Sequence, residues 1–278
     1  MRTRQAVASL SPQLVNFEPA WSEDGWFAAL HVAQHGICVW CASGVRGSPG
    51  TIEHIRPKAE VTRALRTPGE EIDAPGHRRG RSLLPGEPLK PGYYTQAYEP
   101  DNLAYACERC QSWKSTLWPV VPRTGPWCAP SPGLGEEELV LDPFAPGFDP
   151  LLHFRFTPSG EILARPGDVR AEVTIEVLGL DRRETLCKQR RDLYQELLSR
   201  ISSIRHALSA STLTADEKRV LPHVAVCCAW SSSHAAFYRA ALRHELAQRS
   251  LPWVQINQAW TNHGQLAIKE PAMDTWLS

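Results

Sequence analysis

Three short pieces of sequence decide the fold: Cys38-Val-Trp-Cys41, Thr51-Ile-Glu-His-Ile-Arg-Pro-Lys58 and Asp101-Asn-Leu-Ala-Tyr-Ala-Cys-Glu-Arg-Cys-Gln-Ser-Trp-Lys114. The first and third each hold a Cys-x-x-Cys pair. A two-residue gap lets a tight knuckle present two thiolates to one ion, and two knuckles close a tetrahedral site. Cys38, Cys41, Cys107 and Cys110 are therefore expected to hold one structural zinc. A redox pair would open a helix after a strand in a thioredoxin-like unit, and the sequence shows none.

The second piece begins with β-branched residues around Glu53-His54 and meets Pro57. That pattern predicts a short strand ended by the proline. A carboxylate beside an imidazole suggests a hard metal ion next to a base. A surface glutamate beside a half-buried histidine fits the same dipeptide. In the third piece, Cys107 to Trp118 reads as a short helix stopped by Pro119. Gln111 and Lys114 share one face of it at i and i+3, and Asn102 lies just upstream.

Together these residues resemble the HNH endonuclease family, whose fold is the ββα-metal motif. The family pattern runs Cys-x-x-Cys, an acidic residue or histidine before His, Asn-Leu, then Cys-x-x-Cys-Asn/His-x-x-Lys. Here it reads Cys38/Cys41, Glu53-His54, Asn102-Leu103 and Cys107/Cys110-Gln111-x-x-Lys114. The resemblance implies that Glu53 ligates a catalytic divalent ion, Mg²⁺ or another. It implies that His54 is the general base and that Asn102 holds the loop of His54 in place. Gln111 falls at the second protein-ligand position, where the family carries Asn or His. Its side chain is one methylene longer than Asn, and Mg²⁺ demands near-ideal octahedral geometry. Lys114, Arg56, Lys58 and Arg109 are the nearest cations for phosphate oxygens, Lys114 with the support of the motif.

The likeness continues in looser form through Leu141-Asp-Pro-Phe144, His153-Phe-Arg-Phe156, Ser159-Gly-Glu-Ile162 and Thr174-Ile-Glu-Val-Leu-Gly-Leu-Asp-Arg182. In that order they resemble the tails of HNH proteins of bacterial antiphage defence modules, of the retron-associated and Septu types. Such proteins act beside an ABC-type ATPase, so the resemblance implies that partner, with DNA as the expected substrate. A zinc-stapled module that binds nucleic acid or a partner without cutting remains an alternative. A partner-regulated RNase is another.

Composition sets limits on these readings. The chain has 278 residues, ten tryptophans and a formal net charge of +0. A stand-alone non-specific DNA binder is usually basic, because phosphate neutralisation supplies most of that affinity. Positive charge must therefore be concentrated locally or borrowed from a partner. No apolar run is long enough to span a membrane, and no apolar stretch follows Arg2 and Arg4 as a signal peptide requires. A cytoplasmic location is expected, with no membrane partner.

The expected architecture is α+β: a ββα-metal core with a four-cysteine zinc site, and a mainly helical C-terminal region. The expected divisions are an N-terminal arm and helix over 1–37, the core with a long inserted loop over 38–118, an irregular connection with a β-hairpin over 119–180, and helices over 181–278. A helix from Ser22 to about Gln34 should turn Trp26, Phe27, Leu30 and Ala33 to a core. Residues 58–66 are read as a helical start leading into a Pro/Gly-rich loop with a basic cluster at His77–Arg81. Leu139–Leu141 is read as a strand and Val173–Leu178 as a further apolar run. The Arg/Lys side of the helix after Asp181, including Arg182, Arg183, Lys188, Arg190 and Arg191, is expected to face solvent.

Overall fold

The computed structural model describes residues 25–44, 50–66, 83–89, 92–120, 137–207, 220, 223–224, 227–228 and 233–248. The basic cluster at 77–81, Cys128 and the tryptophans of the tail lie outside these residues. The described chain is α+β, and it clusters into two compact units. One draws on the chain up to Trp40, on Val45–Phe148 and on Asp168–Arg182; the other draws on Cys41–Gly44, Asp149–Gly167 and the chain from Arg183 onward.

The first unit is organised by strand β1 (Thr51–His54), which pairs antiparallel with β4 (Leu103–Ala106). The register sets Glu53 opposite Ala104 and His54 opposite Leu103. Every residue of β4 is buried. Helix α2 (Glu108–Lys114) follows β4 directly, with Cys107 as its N-cap, and packs on β1. Helix α1 (Trp26–Ala33) lies against β4, where Phe27 and His31 meet the ring of Tyr105 at 5.5 and 5.0 Å. No residue of α1 is buried, contrary to the expected core face. The helix leans its rings on one tyrosine instead of filling a core. Gln34 does more: its amide accepts from Tyr105 N at 2.7 Å and donates to Tyr105 O at 2.9 Å, completing the open edge of β4.

Residues 58–66 do not start a helix. Val61–Arg66 is strand β2, paired antiparallel with β3 (Leu83–Leu89). Two β-branched residues at its start favour the extended form. The prolines at 85 and 88 hid the partner strand, since proline reads as a strand breaker except on edges. The excursion is closed at its base, where Tyr93 N donates to Pro57 O and Gly92 N to Ala59 O. A Cβ on Gly92 would lie 2.4 Å from Pro57 O, so only glycine allows that approach.

Val173–Leu178 is helical, within α4 (Val169–Leu178). The Asp168 carboxylate accepts from Ala171 N, and Gly179 ends the helix in the left-handed region. Good caps at both ends outweigh the β-branched residues between them. Leu139–Leu141 forms no strand beyond a single bridge from Glu138 to Val120. The Leu141 N–H goes to Thr174 Oγ1 of α4 instead.

In the second unit, the short helix α3 (Pro150–His153) leads into the hairpin of β5 (Phe154–Phe156) and β6 (Ile162–Ala164). Helices α5 (Glu184–Ala207) and α6 (Ala235–Gln248) pack on each other, and α6 reaches β5, where Phe156 meets Phe237 edge-on. Tyr194 of α5 donates to the Glu245 carboxylate of α6. The cationic side of α5 is not wholly solvated. Arg183 and Arg190 are buried, and Arg190 lies over Phe156 while it donates to Gly160 O. A long stem and a flat, weakly hydrated head let arginine pack this way.

Gly160 gives a direct check of this packing. Its φ is +87° and an added Cβ would sit 2.1 Å from Cys187 O. Gly160→Ala should cost on the order of 2 kcal/mol or more. Gly167→Ala has a similar φ of +81° but open space around it, and should cost about 1 kcal/mol. Denaturant unfolding of the two variants measures the difference.

Candidate functional site

The sulfurs of Cys38, Cys41, Cys107 and Cys110 all lie within 4.8 Å of one another. Zinc–sulfur bonds of ~2.3 Å require sulfurs about 3.8 Å apart, so the cluster is close to that geometry. The knuckle is already formed, with Cys110 N donating to Cys107 Sγ at 3.4 Å. The four residues are thus placed to bind one metal ion, and their donor set fits zinc. The sequence alone was sufficient to find them.

The strand β1 presents Glu53 and His54. Glu53 is 4% exposed, and its Oε1 is buried without a hydrogen bond in good geometry. The Lys114 ammonium lies 2.8 Å from that oxygen as an ion pair. Burial raises the Glu53 pKa, and Lys114 opposes the rise. Lys114 is 1% exposed and donates to His54 O at 2.9 Å. Its charge also lies over the Trp118 ring at 5.6 Å. Gln111, on the same face of α2, donates its amide N–H to Ile52 O at 3.4 Å. Gln111 and Lys114 are therefore both directed at β1, the strand that carries Glu53. Glu53 and Gln111 offer oxygen donors. The Glu53 carboxylate oxygen that Lys114 does not hold and the Gln111 amide oxygen are hard donors, a set that fits a divalent ion that keeps several waters.

His54 Nε2 is 3.0 Å from Ala97 O. A carbonyl only accepts, so Nε2 carries the proton and Nδ1 keeps its lone pair. Burial, then the nearby Lys58 charge, push the His54 pKa down to about 3, against the pull of the Ala97 bond. The imidazole is neutral at pH 7. Burial also lowers the Lys58 pKa to about 8.

Asn102 is 1% exposed and sets the surroundings of His54. Its Oδ1 accepts from Arg56 N at 2.7 Å, and its Nδ2 donates to Arg56 O and Gln96 O, each at 3.1 Å. The same side chain thus fixes the turn after His54 and the segment that carries Ala97 O. Arg56 donates two hydrogen bonds to Glu138, at 2.6 and 2.7 Å, and one to Asp142 at 3.1 Å. Its guanidinium also lies over Trp118 at 5.7 Å. Arg109 is exposed on the first turn of α2.

Sequence reading did not find four participants. Ala97 acts through its backbone, which leaves no side-chain signal. Glu138 and Asp142 sit far along the chain in a Pro/Gly-rich stretch, where acidic residues read as solvated. Gln34 carries no motif at all.

The chain is similar to the Septu protein PtuB of Bacillus mycoides (strain KBAB4). The identity is 32% over 152 residues, covering 54% of this chain and 44% of that protein. The chain thus spans less than half the length of the curated relative it matches. No family model matches the chain, and no solved structure does. No helix among the described residues is long and apolar enough to cross a membrane.

Two measurements check this geometry. Atomic absorption on purified protein should give one zinc per chain, and Cys107→Ser or Cys110→Ser should lose it and melt at lower temperature. Imidazole NMR should place the His54 midpoint far below 6.5, with Lys58→Ala moving it upward. The folded pKa is depressed, so His54 favours folding above about pH 6.5. That contribution should fall by ~1.4 kcal/mol per unit as pH drops toward 3, because the unfolded chain takes a proton that the folded one refuses.

Proposed function

We propose that the chain is a metal-dependent HNH endonuclease of the ββα-metal type that hydrolyses phosphodiester bonds of DNA. In this reading it is the nuclease effector of a Septu-type antiphage defence system and works beside an ABC-type ATPase. The observation that carries the proposal is His54 on β1, held neutral with its Nε2 proton on Ala97 O, next to the buried carboxylate of Glu53. The order β1, β4, α2 and the similarity to PtuB support it.

His54 takes a proton from the attacking water at Nδ1, since Nε2 carries its proton to Ala97 O. Asn102 keeps that geometry by holding both the turn after His54 and the segment of Ala97. Glu53 and Gln111 are the oxygen donors for a divalent ion such as Mg²⁺. The chemistry supplied there is Lewis-acid polarisation of the scissile phosphate and stabilisation of the leaving oxygen. Lys58 and Arg109 are the cations offered to neighbouring phosphates. Arg56 locks the end of β1 through Glu138 and Asp142.

The zero net charge favours a partner that supplies grip on nucleic acid, which is the place for the ATPase. A second reading has one observation in its favour. The Glu53–Lys114 pair is already neutral, as suits a zinc-stapled module that binds without cutting.

Purified protein with Mg²⁺ or Mn²⁺ should nick plasmid DNA, and His54→Ala should slow this by ~100-fold or more. Asn102→Ala should slow it as well, with zinc content unchanged. If Gln111 limits the site, Gln111→Asn should raise the rate. Silence of the wild type and of Gln111→Asn, with every ion and with the ATPase added, would favour the binding module. RNA assayed in parallel decides between DNase and RNase.

A further inference from the structure

We propose that Lys114 determines which divalent ion Glu53 accepts, by holding one carboxylate oxygen and leaving the carboxylate only the other to ligate with. This rests on the reading of Glu53 as a metal ligand. The ammonium has three N–H directions and three neighbours: Glu53 Oε1 at 2.8 Å, His54 O at 2.9 Å and the face of Trp118 at 5.6 Å. Lys114 is 1% exposed. Swinging it out would leave a carbonyl, a carboxylate oxygen and a ring face without their partner, so the ammonium stays.

Glu53 Oε1 is buried and has no hydrogen-bond donor to share it with that ammonium. A second cation on the same oxygen would lie against a fixed positive charge in a place of low dielectric, where like charges repel most strongly. The carboxylate is thereby restricted to ligation through a single oxygen. Mg²⁺ accepts this, since it prefers octahedral geometry with one or two carboxylates and several waters. Ca²⁺ takes more ligands and commonly a bidentate carboxylate. The pair therefore selects small six-coordinate ions such as Mg²⁺ and Mn²⁺ against Ca²⁺. Lys114 acts here as a positioning residue, through Glu53.

The test is Mn²⁺ binding to the zinc-loaded full chain, followed by the EPR signal of the free ion, with Mg²⁺ or Ca²⁺ as competitor. In the wild type, Mg²⁺ should displace Mn²⁺ at lower concentration than Ca²⁺. Lys114→Met should shift the ratio toward Ca²⁺ by at least about tenfold, because both carboxylate oxygens become available. Lys114→Gln keeps a donor toward His54 O, and gives the same reading if the methionine variant melts. Equal displacement by the two ions in the wild type, or an unchanged ratio in the variants, would overturn the proposal. Undiminished Mn²⁺ binding by Glu53→Gln would overturn the prior reading of Glu53 as a ligand, a result distinct from a failed selectivity test.

Discussion

Four cysteine sulfurs within 4.8 Å of one another are the constraint on which this architecture turns. Four thiolates so close repel one another unless a cation sits among them. Their closure ties the 38–41 knuckle to the 107–110 knuckle across a long stretch of chain. It also fixes the C-terminal end of β4 and the start of α2, because Cys107 is at once a cluster member and the N-cap of that helix. Val39 N donates to Tyr105 O, so the first knuckle is also bonded to β4. Once the start of α2 is set, three residues of spacing bring Gln111 and Lys114 over β1. The cluster is remote from the candidate chemistry in role and decides its geometry.

Much of this was legible because ligand chemistry leaves residue types behind. Cysteine pairs, Glu53-His54 and Asn102 are visible as letters. The hairpin β5–β6 and the helix from Glu184 were visible as periodicity and turn residues. What escaped was settled by partners. The segment at 61–66 became a strand because 83–89 pairs with it, and prolines hid that partner. Val173–Leu178 became a helix because Asp168 and Gly179 cap it. Arg183 and Arg190 are buried where charge runs usually face water, and the packing of Arg190 beneath the β5–β6 hairpin is a tertiary fact. The acceptor for His54 is a backbone oxygen, which no sequence marks.

Charge is distributed in a way that net charge conceals. Among the cations expected near phosphate, Arg56 is held by Glu138 and Asp142, and Lys114 by Glu53. Both lie over the same Trp118 ring. A buried ammonium and carboxylate hold each other at a desolvation cost that a hydrophobic pair would avoid. Such a pair is therefore weak as a device for stability. It makes sense as a way to keep the Glu53 carboxylate in place, beside His54, on a strand with little access to water.

The same wiring explains why a motif far along the chain belongs with the site. Thr174 of α4 holds Leu141 by its N–H. The next residue, Asp142, reaches Arg56. Arg56 is the residue whose backbone Asn102 grips on both sides, and Asn102 also holds the segment that presents Ala97 O to His54. On the other face, Trp113 of α2 packs against Gly179, where an added Cβ would come within 2.5 Å of the ring. Helix α4 thus braces β1 from one end and α2 from the other. Without the 139–142 and 168–179 segments, the turn after His54 would lose its ion-pair anchor, and α2 would lose its backing. The core of two strands and one helix is too small to stand on its own hydrophobic burial. Its tail is the missing layer.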